Sequence, residues 1–375
     1  MDFSLSDEQE QMKETVREFL EEEGGIELAR RQLDGEDGVV DEVWDQLTET
    51  EYTALTVPFD YGGLGDGMLY LALFLEEAGR FALPGPIAET LGFAVPLIDE
   101  LGSVEQKETY FPAIADGDQR FSIALYEDNN EELPNGIQLS AEETDDGYSL
   151  SGTKSLVPYA EDVDSIVVAA RTQEATGYRG ITLFIVDPSE AAVTELEGLD
   201  WTRPVYELEF DEVTVDESAQ LGPLNGGGGA LERGIDRLNV SISAMLIGAA
   251  DRAVDLSVEH GNEREQFGQP VGRFQAVKHR TVDMWMDMQA GRSLMYYAAW
   301  AVANNAPDAP RAVSAAKSFT TEQCTDIFGN DILNHGGMGF TWDHDGHIYL
   351  KQAKAWENYL GTPEAHRERI ADSRL

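Results

Sequence analysis

Arg264-Glu265-Gln266-Phe267-Gly268-Gln269-Pro270-Val271-Gly272-Arg273-Phe274-Gln275-Ala276-Val277-Lys278-His279 holds too many specialised residues to be ordinary helix. One helical periodicity ends at Arg264, and Gly268 and Pro270 force a change of direction. A new apolar periodicity then starts at Phe274 and runs through Val277, Val282 and Trp285. The stretch is a shaped joint between two helices. An arginine fork beside a glycine-proline turn can hold a diphosphate through paired hydrogen bonds, and the Gln275 amide can meet the edge of a heterocycle or ribose. A capped helix-helix corner with no ligand is the other reading of the same residues.

Both sides of the joint are helical. Upstream, Leu238, Ile242, Met245, Ala249, Ala253 and Leu256 give Asp236 to His260 a face suited to a bundle core. Downstream, residues 277–303 carry Met284, Met286, Met288 and Met295, expected as soft core packing, and residues 312–333 form another helix. Then come Asn334-His335-Gly336-Gly337-Met338-Gly339-Phe340-Thr341-Trp342 and an aromatic helix through Leu350, Trp356 and Leu360. Gly336-Gly337 either caps a helix or lets backbone approach a ligand closely.

The amino-terminal third is also helical. Ser6-Asp7-Glu8 caps a helix bearing Met12, Val16, Phe19 and Leu20, Asp41 starts another, and Ser103 caps a third. Near residue 120 the period becomes strand-like, in Phe121–Leu125, Tyr148–Gly152, Ser165–Ala170, Ile181–Val186 and Tyr206–Phe210. No helix of bundle length intervenes, so an antiparallel barrel or sandwich is expected instead of alternating strand-helix units. Gly226 to Gly229 lacks the spacing and downstream acid of a dinucleotide fingerprint and reads as a loop or domain connection. The expected fold class is α+β, with domains at 1–118, 119–223 and 224–375.

Composition limits the partners. Among 375 residues, 71 acidic side chains face 26 basic ones, for a formal charge of −45. That field opposes nucleic acid and anionic membranes, and a salt-rich cytoplasm is the simplest setting that screens it. No apolar run approaches the roughly 20 residues of a membrane span, so no membrane insertion is expected. The lone Cys324 reads as a buried small apolar residue. His335, His344 and His347 show no spacing that fixes a coordination geometry, and no metal site is expected. With so few cations available, arginines inside apolar stretches are candidates for a local reversal of sign.

The Arg264-to-His279 stretch resembles the signature of the acyl-CoA dehydrogenase family, and the likeness runs through nearly the whole chain. It is nearest to short members that form complexes of unlike subunits. The resemblance implies an N-terminal helical domain, a middle β-domain and a C-terminal helical bundle. It also implies FAD as cofactor, an acyl-CoA substrate and electron-transfer flavoprotein as acceptor. The assembly it implies is a homo-dimer, a homo-tetramer or a hetero-oligomer with a sister subunit. Arg264, Phe267, Gln275, Gly336 and Gly337 would meet the partner subunit's FAD, and Thr362 joins the cofactor set. Leu125 and Val157 stand where the β-domain touches the flavin ring. The glutamine usual three places ahead of the glycine pair is replaced by Leu333.

The family reaction removes a proton beside a thioester carbonyl while hydride passes to the flavin, and a carboxylate is the suitable base. The commonest base precedes a Gly-Thr near the carboxyl end, where this chain has Leu360 before Gly361-Thr362. Other members place the carboxylate before an arginine that opens the core helix, and Asp236-Arg237 is the local pair. Asp236 is therefore the candidate base, with a helix cap or solvated acid as its other reading. Counting back from Arg264 reaches Leu238 instead, and a two-residue offset turns a side chain by roughly 200°. Two functions follow. One is an active FAD-dependent acyl-CoA dehydrogenase; the alternative is a base-deficient FAD-binding subunit of a hetero-oligomeric dehydrogenase.

Overall fold

A computed structural model describes residues 5–129 and 131–373. Helices come first: α1 (Asp7–Glu22), α2 (Ile26–Leu33), α3 (Val39–Glu49), α4 (Met68–Arg80), α5 (Val95–Leu101) and α6 (Val104–Ala115). Strands follow: β1 (Phe121–Ala124), β2 (Ser140–Thr144), β3 (Gly147–Pro158), β4 (Ser165–Arg171), β5 (Ile181–Val186), β6 (Ala192–Leu196), β7 (Val205–Val215) and β8 (Gln220–Leu221). The last run is α7 (Gly228–Glu263), the short strands β9 (Glu265–Gln266) and β10 (Gln269–Pro270), α8 (Gln275–Ala303), α9 (Ala309–His335), α10 (Gly346–Trp356) and α11 (Pro363–Asp372). This is the expected α+β order of N-terminal helices, central sheet and C-terminal bundle. No helix among the described residues is long and apolar enough to cross a membrane.

The caps work as their chemistry dictates. Ser6 accepts from the Gln9 amide at 3.3 Å while the Gln9 side chain returns to the Ser6 N–H at 3.0 Å. Ser103 and Gln106 make the same reciprocal pair ahead of α6. Asp41 lies in the first turn of α3, which begins at Val39 after the left-handed Gly38. Gly228 and Gly229 belong to α7, so half of the expected glycine loop is helix.

The chain groups into two compact units. One takes the residues up to Gly35, Met68–Leu83 and Asn239 onward; the other takes Glu36–Gly67 and Pro84–Leu238. In the first, α4 and α7 meet backbone to backbone: a Cβ at Gly248 would lie 1.7 Å from the Glu76 carbonyl oxygen, and one at Gly79 would lie 2.0 Å from that of Met245. Both contacts exclude any residue but glycine. Beside them Glu76 and Glu77 are buried, and Lys13, Arg17 and Arg292 pair with them at 2.8–3.4 Å. Glu76 is shared by Lys13 and Arg292 and Glu77 by Lys13 and Arg17, so neither buried carboxylate depends on a single cation.

Along α8 the buried stripe is Met284, Met288, Gly291 and Met295, spaced by a helical period. Met286 is 56% exposed, so it is not core, and Val282 and Trp285 are about as open at 48% and 51%. The apolar periodicity of this helix therefore has two faces, and only one of them enters the bundle.

In the second unit the sheet runs β6-β7-β3-β2-β4-β5-β8, with β1 also on β4. Most neighbours are antiparallel, but β1 and β2 both pair with β4 in parallel, so the sheet is mixed. Strands β4 and β5 are buried at every position and read as unbroken apolar runs, whereas β7 alternates.

Candidate functional site

The opening stretch folds as a tight hairpin. β9 pairs antiparallel with β10, and the two residues between them, Phe267 and Gly268, both have positive φ, 56° and 80°. This is the geometry of a two-residue loop whose twist matches its strands, and glycine suits the second place. Phenylalanine at the first place costs backbone energy, and its ring gains almost no burial at 93% exposure. The hairpin folds back on α7 where Gly272 meets Gly261; a Cβ at Gly272 would lie 2.8 Å from the Gly261 carbonyl oxygen.

Arg264 and Gln275 are exposed on either side of this hairpin, and Gln275 opens α8. Among the described residues Arg264, Arg273 and Lys278 have no ion pair, although acids outnumber bases 71 to 26 in the sequence. Between Arg264 and Arg280 stand four Lys or Arg residues against one acid, Glu265. The expected local reversal of sign is here, and it points away from the chain.

Gly336 ends α9 with φ 60°, and its N–H donates to the Leu333 carbonyl at 3.3 Å. A side chain added at Gly336 or Gly337 would meet nothing within 4 Å. Gly337 also has an ordinary helical φ of −60°, so neither packing nor backbone strain demands glycine there. A bare, outward backbone suits a ligand that approaches closely. Leu333, Met338 and Phe340 are exposed around it at 54%, 52% and 76%.

In the second unit the two strand ends singled out by sequence lie side by side. Tyr126 and Ser155 form an isolated antiparallel bridge, and the Ser155 N–H donates to the Tyr126 carbonyl at 2.9 Å. Buried Lys154 ties them together through the Leu125 carbonyl at 3.3 Å and Glu127 at 2.6 Å, and burial lowers its pKa to about 8. The side chains of Leu125 and Val157 point inward, at 2% and 0% exposure. Only backbone at those positions can meet a ligand. Leu156 is the outward residue, 44% exposed at φ 55° in a β-bulge, and the sequence reading passed over it.

Models of the acyl-CoA dehydrogenase N-terminal domain and C-terminal domain match residues 6–118 and 225–375. The chain belongs to the acyl-CoA dehydrogenase superfamily. A 2-methylacyl-CoA dehydrogenase of Solanum tuberosum is 28% identical over 97% of this chain and 89% of its own length. Butyryl-CoA dehydrogenase from Megasphaera elsdenii superposes over all of both chains with a TM-score of 0.92 at 25% identity. A chain of the ChsE4-ChsE5 complex from Mycobacterium tuberculosis superposes with a TM-score of 0.88 at 26% identity, covering 100% of this chain and 99% of that one. The protein is thus an oxidoreductase of the acyl-CoA dehydrogenase type, and FAD is the cofactor of its fold. Unpaired Arg264, exposed Gln275 and the open glycine pair fit a diphosphate-linked adenosine.

At the dehydrogenase's usual base position, Leu360 is 3% exposed with φ 61°. Its carbonyl accepts from Asn239 Nδ2 at 3.3 Å and lies 3.2 Å from His366 Nε2, while Lys317 Nζ donates to the Trp356 carbonyl at 2.6 Å. Burial depresses both basic groups, Lys317 to about 7 and His366 to about 4. Thr362 is occupied as the N-cap of α11, accepting from the Ala365 N–H at 3.1 Å. The backbone of this segment is held as if a functional side chain were to be placed, and the side chain is a leucine.

Asp236 is buried at 6% exposure, well inside α7, so it is neither a helix cap nor a solvated acid. The helix runs without interruption from Gly228 to Glu263, and no bulge moves Asp236 into the register of Leu238. Arg237 lies in the field of Glu100, Arg233, Asp236 and Asp99, with burial the largest influence on it. Cys324 is buried, and burial pushes its thiol pKa up, so it is no nucleophile.

Asp331, His335 and His344 come together with ligand-type atoms within 4.8 Å of one another. Histidine spacing alone gave no hint of this. The signal was an aspartate four residues before a histidine on one helix face, Asp331 and His335 in α9.

Proposed function

We propose that this protein catalyses FAD-dependent α,β-dehydrogenation of an acyl-CoA thioester and passes its electrons to an electron-transfer flavoprotein. The observation that carries the reading is the unpaired, outward Arg264 on a strained hairpin in an otherwise acidic chain. When bound, FAD supplies a hydride acceptor. The chain's own groups do the rest: Arg264 meets the diphosphate, Gln275 a polar edge of the cofactor, and the Gly336-Gly337 backbone its adenosine side. Backbone at Leu125 and Val157 and the capped Thr362 complete the cofactor set. Asp236 is the proposed acceptor of the proton beside the thioester carbonyl. Because the cofactor residues of the first unit face outward, the flavin they hold belongs to a partner subunit, in a homo-dimer or homo-tetramer.

A second reading is favoured by a specific observation. Leucine occupies both family base positions, Leu360 and the Leu238 register, so the chain can be the base-deficient, flavin-holding subunit of a hetero-oligomer. Likeness to a chain of the ChsE4-ChsE5 complex supports this assembly. Stoichiometry separates the two. A yellow homo-oligomer with one FAD per chain that oxidises acyl-CoA supports the first, whereas a chain that gains flavin and activity only with a sister subunit supports the second. The charge of −45 supports a salt-rich cytoplasm in either case.

A further inference from the structure

Asp331 lies fully buried on α9 where the two ends of the 336–343 turn come back together. His335 is the residue just before that turn and His344 the residue just after it. Asp331 Oδ1 accepts from Ser257 Oγ at 2.6 Å and lies 3.2 Å from His335 Nδ1, which is also 2.9 Å from the Asp331 carbonyl oxygen. On the other side Asp331 Oδ2 faces His344 Nε2 at 3.7 Å. Neither of these two buried atoms has a hydrogen-bond partner.

Such a group invites a cation, but proton placement argues for a different role. The Gly346 N–H donates to His344 Nδ1 at 2.9 Å, so that nitrogen supplies a lone pair and the neutral ring carries its proton on Nε2, toward Asp331. His335 Nδ1 faces only oxygens and carries its proton there. The nitrogens nearest the carboxylate are therefore N–H donors, and a metal ion would meet protons instead of lone pairs.

We propose that Asp331 is a positioning residue for the flavin turn, bracketing it through His335 at one end and His344 at the other. This rests on the reading of Gly336-Gly337 as a flavin-holding turn. The first side of the bracket is closed. The second is a longer approach, roughly 0.8 Å beyond an ordinary N–H···O bond, and holds its end of the turn more weakly. Gly346 makes the approach possible, since a Cβ there would lie 2.8 Å from the His344 ring and 2.9 Å from Asp331 Oδ2. Midway, Gly339 presses the turn onto α9; its Cβ would lie 2.3 Å from the Ile332 carbonyl oxygen. A turn fixed at both ends and in the middle binds without a large ordering cost.

The test uses the full-length protein. With ¹⁵N-labelled histidine at pH 8, His335 is expected as the Nδ1–H tautomer and His344 as the Nε2–H tautomer, both unchanged by equimolar zinc chloride. The opposite tautomer at His344, or zinc displacing either proton, overturns the bracket. In parallel, His344→Gln keeps an N–H donor for Oδ2 and His344→Leu removes it. The glutamine variant should bind FAD within about 3-fold of the parent and the leucine variant about 10-fold more weakly. Amide exchange in 336–343 should be faster in the leucine variant alone. Equal exchange in the two variants sinks the proposal. Faster exchange in the leucine variant of a protein that binds no FAD upholds the bracket and fails the flavin reading.

Discussion

Two stretches of this dehydrogenase-type chain are equally well organised, and they face opposite ways. The hairpin from Arg264 to Gln275 spends backbone strain at Phe267 to hold a guanidinium and an amide outside the fold, with the exposed Phe267 ring touching only Phe274 of the same stretch edge-on at 6.0 Å. The segment from Trp356 to His366 is tied from within by Lys317, Asn239 and His366, and what it holds in place is buried leucine. Under the proposed function, cofactor holding is a surface property of the first stretch, while the family base position in the second carries no carboxylate. The two duties of the fold are separable, and each can be broken without the other.

The largest effect is expected at Asp236. If it has taken over the duty lost at Leu360, Asp236→Asn should lower turnover by about 100-fold or more with FAD content unchanged. Turnover equal to the parent's would remove Asp236 from the chemistry and place the base on a sister subunit. In either case flavin binding should not move, because the hairpin does not depend on this side chain.

Next comes the acid stability of the inner segment. His366 has its pKa depressed from 6.5 to about 4 by burial and by Lys317. The unfolded chain then binds more protons than the folded one between those values, so its contribution is complete above pH 6.5 and is lost as pH falls toward 4. The loss amounts to about 3 kcal/mol. Chemical denaturation at pH 7 and at pH 4.5 should give a steeper fall for the parent than for His366→Gln, and equal slopes would refute the assignment. Lys317 shifts in the same direction, but its pKa of about 7 puts its window higher, so it does not mimic this signal.

The sequence made the outward stretch easier to read than the inward one. A change of direction at Gly268 and Pro270 declares itself through residue types with few uses, though not its form as a Phe267-Gly268 hairpin, and helix starts at Ser6 and Ser103 declare themselves through a cap whose partner lies three residues on. Burial patterns declare themselves less well. The stripe Val277, Val282 and Trp285 has the period of a core face, yet Val277 is half-buried and Val282 and Trp285 are exposed, because periodicity reports that a face is apolar and not what covers it. Parallel pairing of β1 with β4 was hidden for a similar reason: pairing partners far apart in sequence leave no mark on either strand. The group around Asp331 joins α9 to residues beyond a turn, and only the folded turn brings them together.

The outward stretch is the last to be dissected, and there the contrast is between its two polar hands. Arg264→Ala should weaken FAD binding by about 10- to 100-fold, the worth of a charge-assisted bond, without lowering the melting temperature of the flavin-free protein. Gln275→Ala should cost only about 3- to 10-fold, since a neutral amide contributes a single ordinary hydrogen bond. Salt separates them further. A guanidinium exposed to solvent loses part of its attraction for a diphosphate as ions screen it, whereas an amide hydrogen bond is nearly indifferent to ionic strength. In FAD titrations from 0.1 M to 1 M salt the Arg264 variant should therefore converge on the parent while the Gln275 variant keeps its deficit. If both converge, the glutamine acts only by helping to place the arginine; if neither does, the diphosphate lies elsewhere and the unpaired charge on the hairpin serves another ligand.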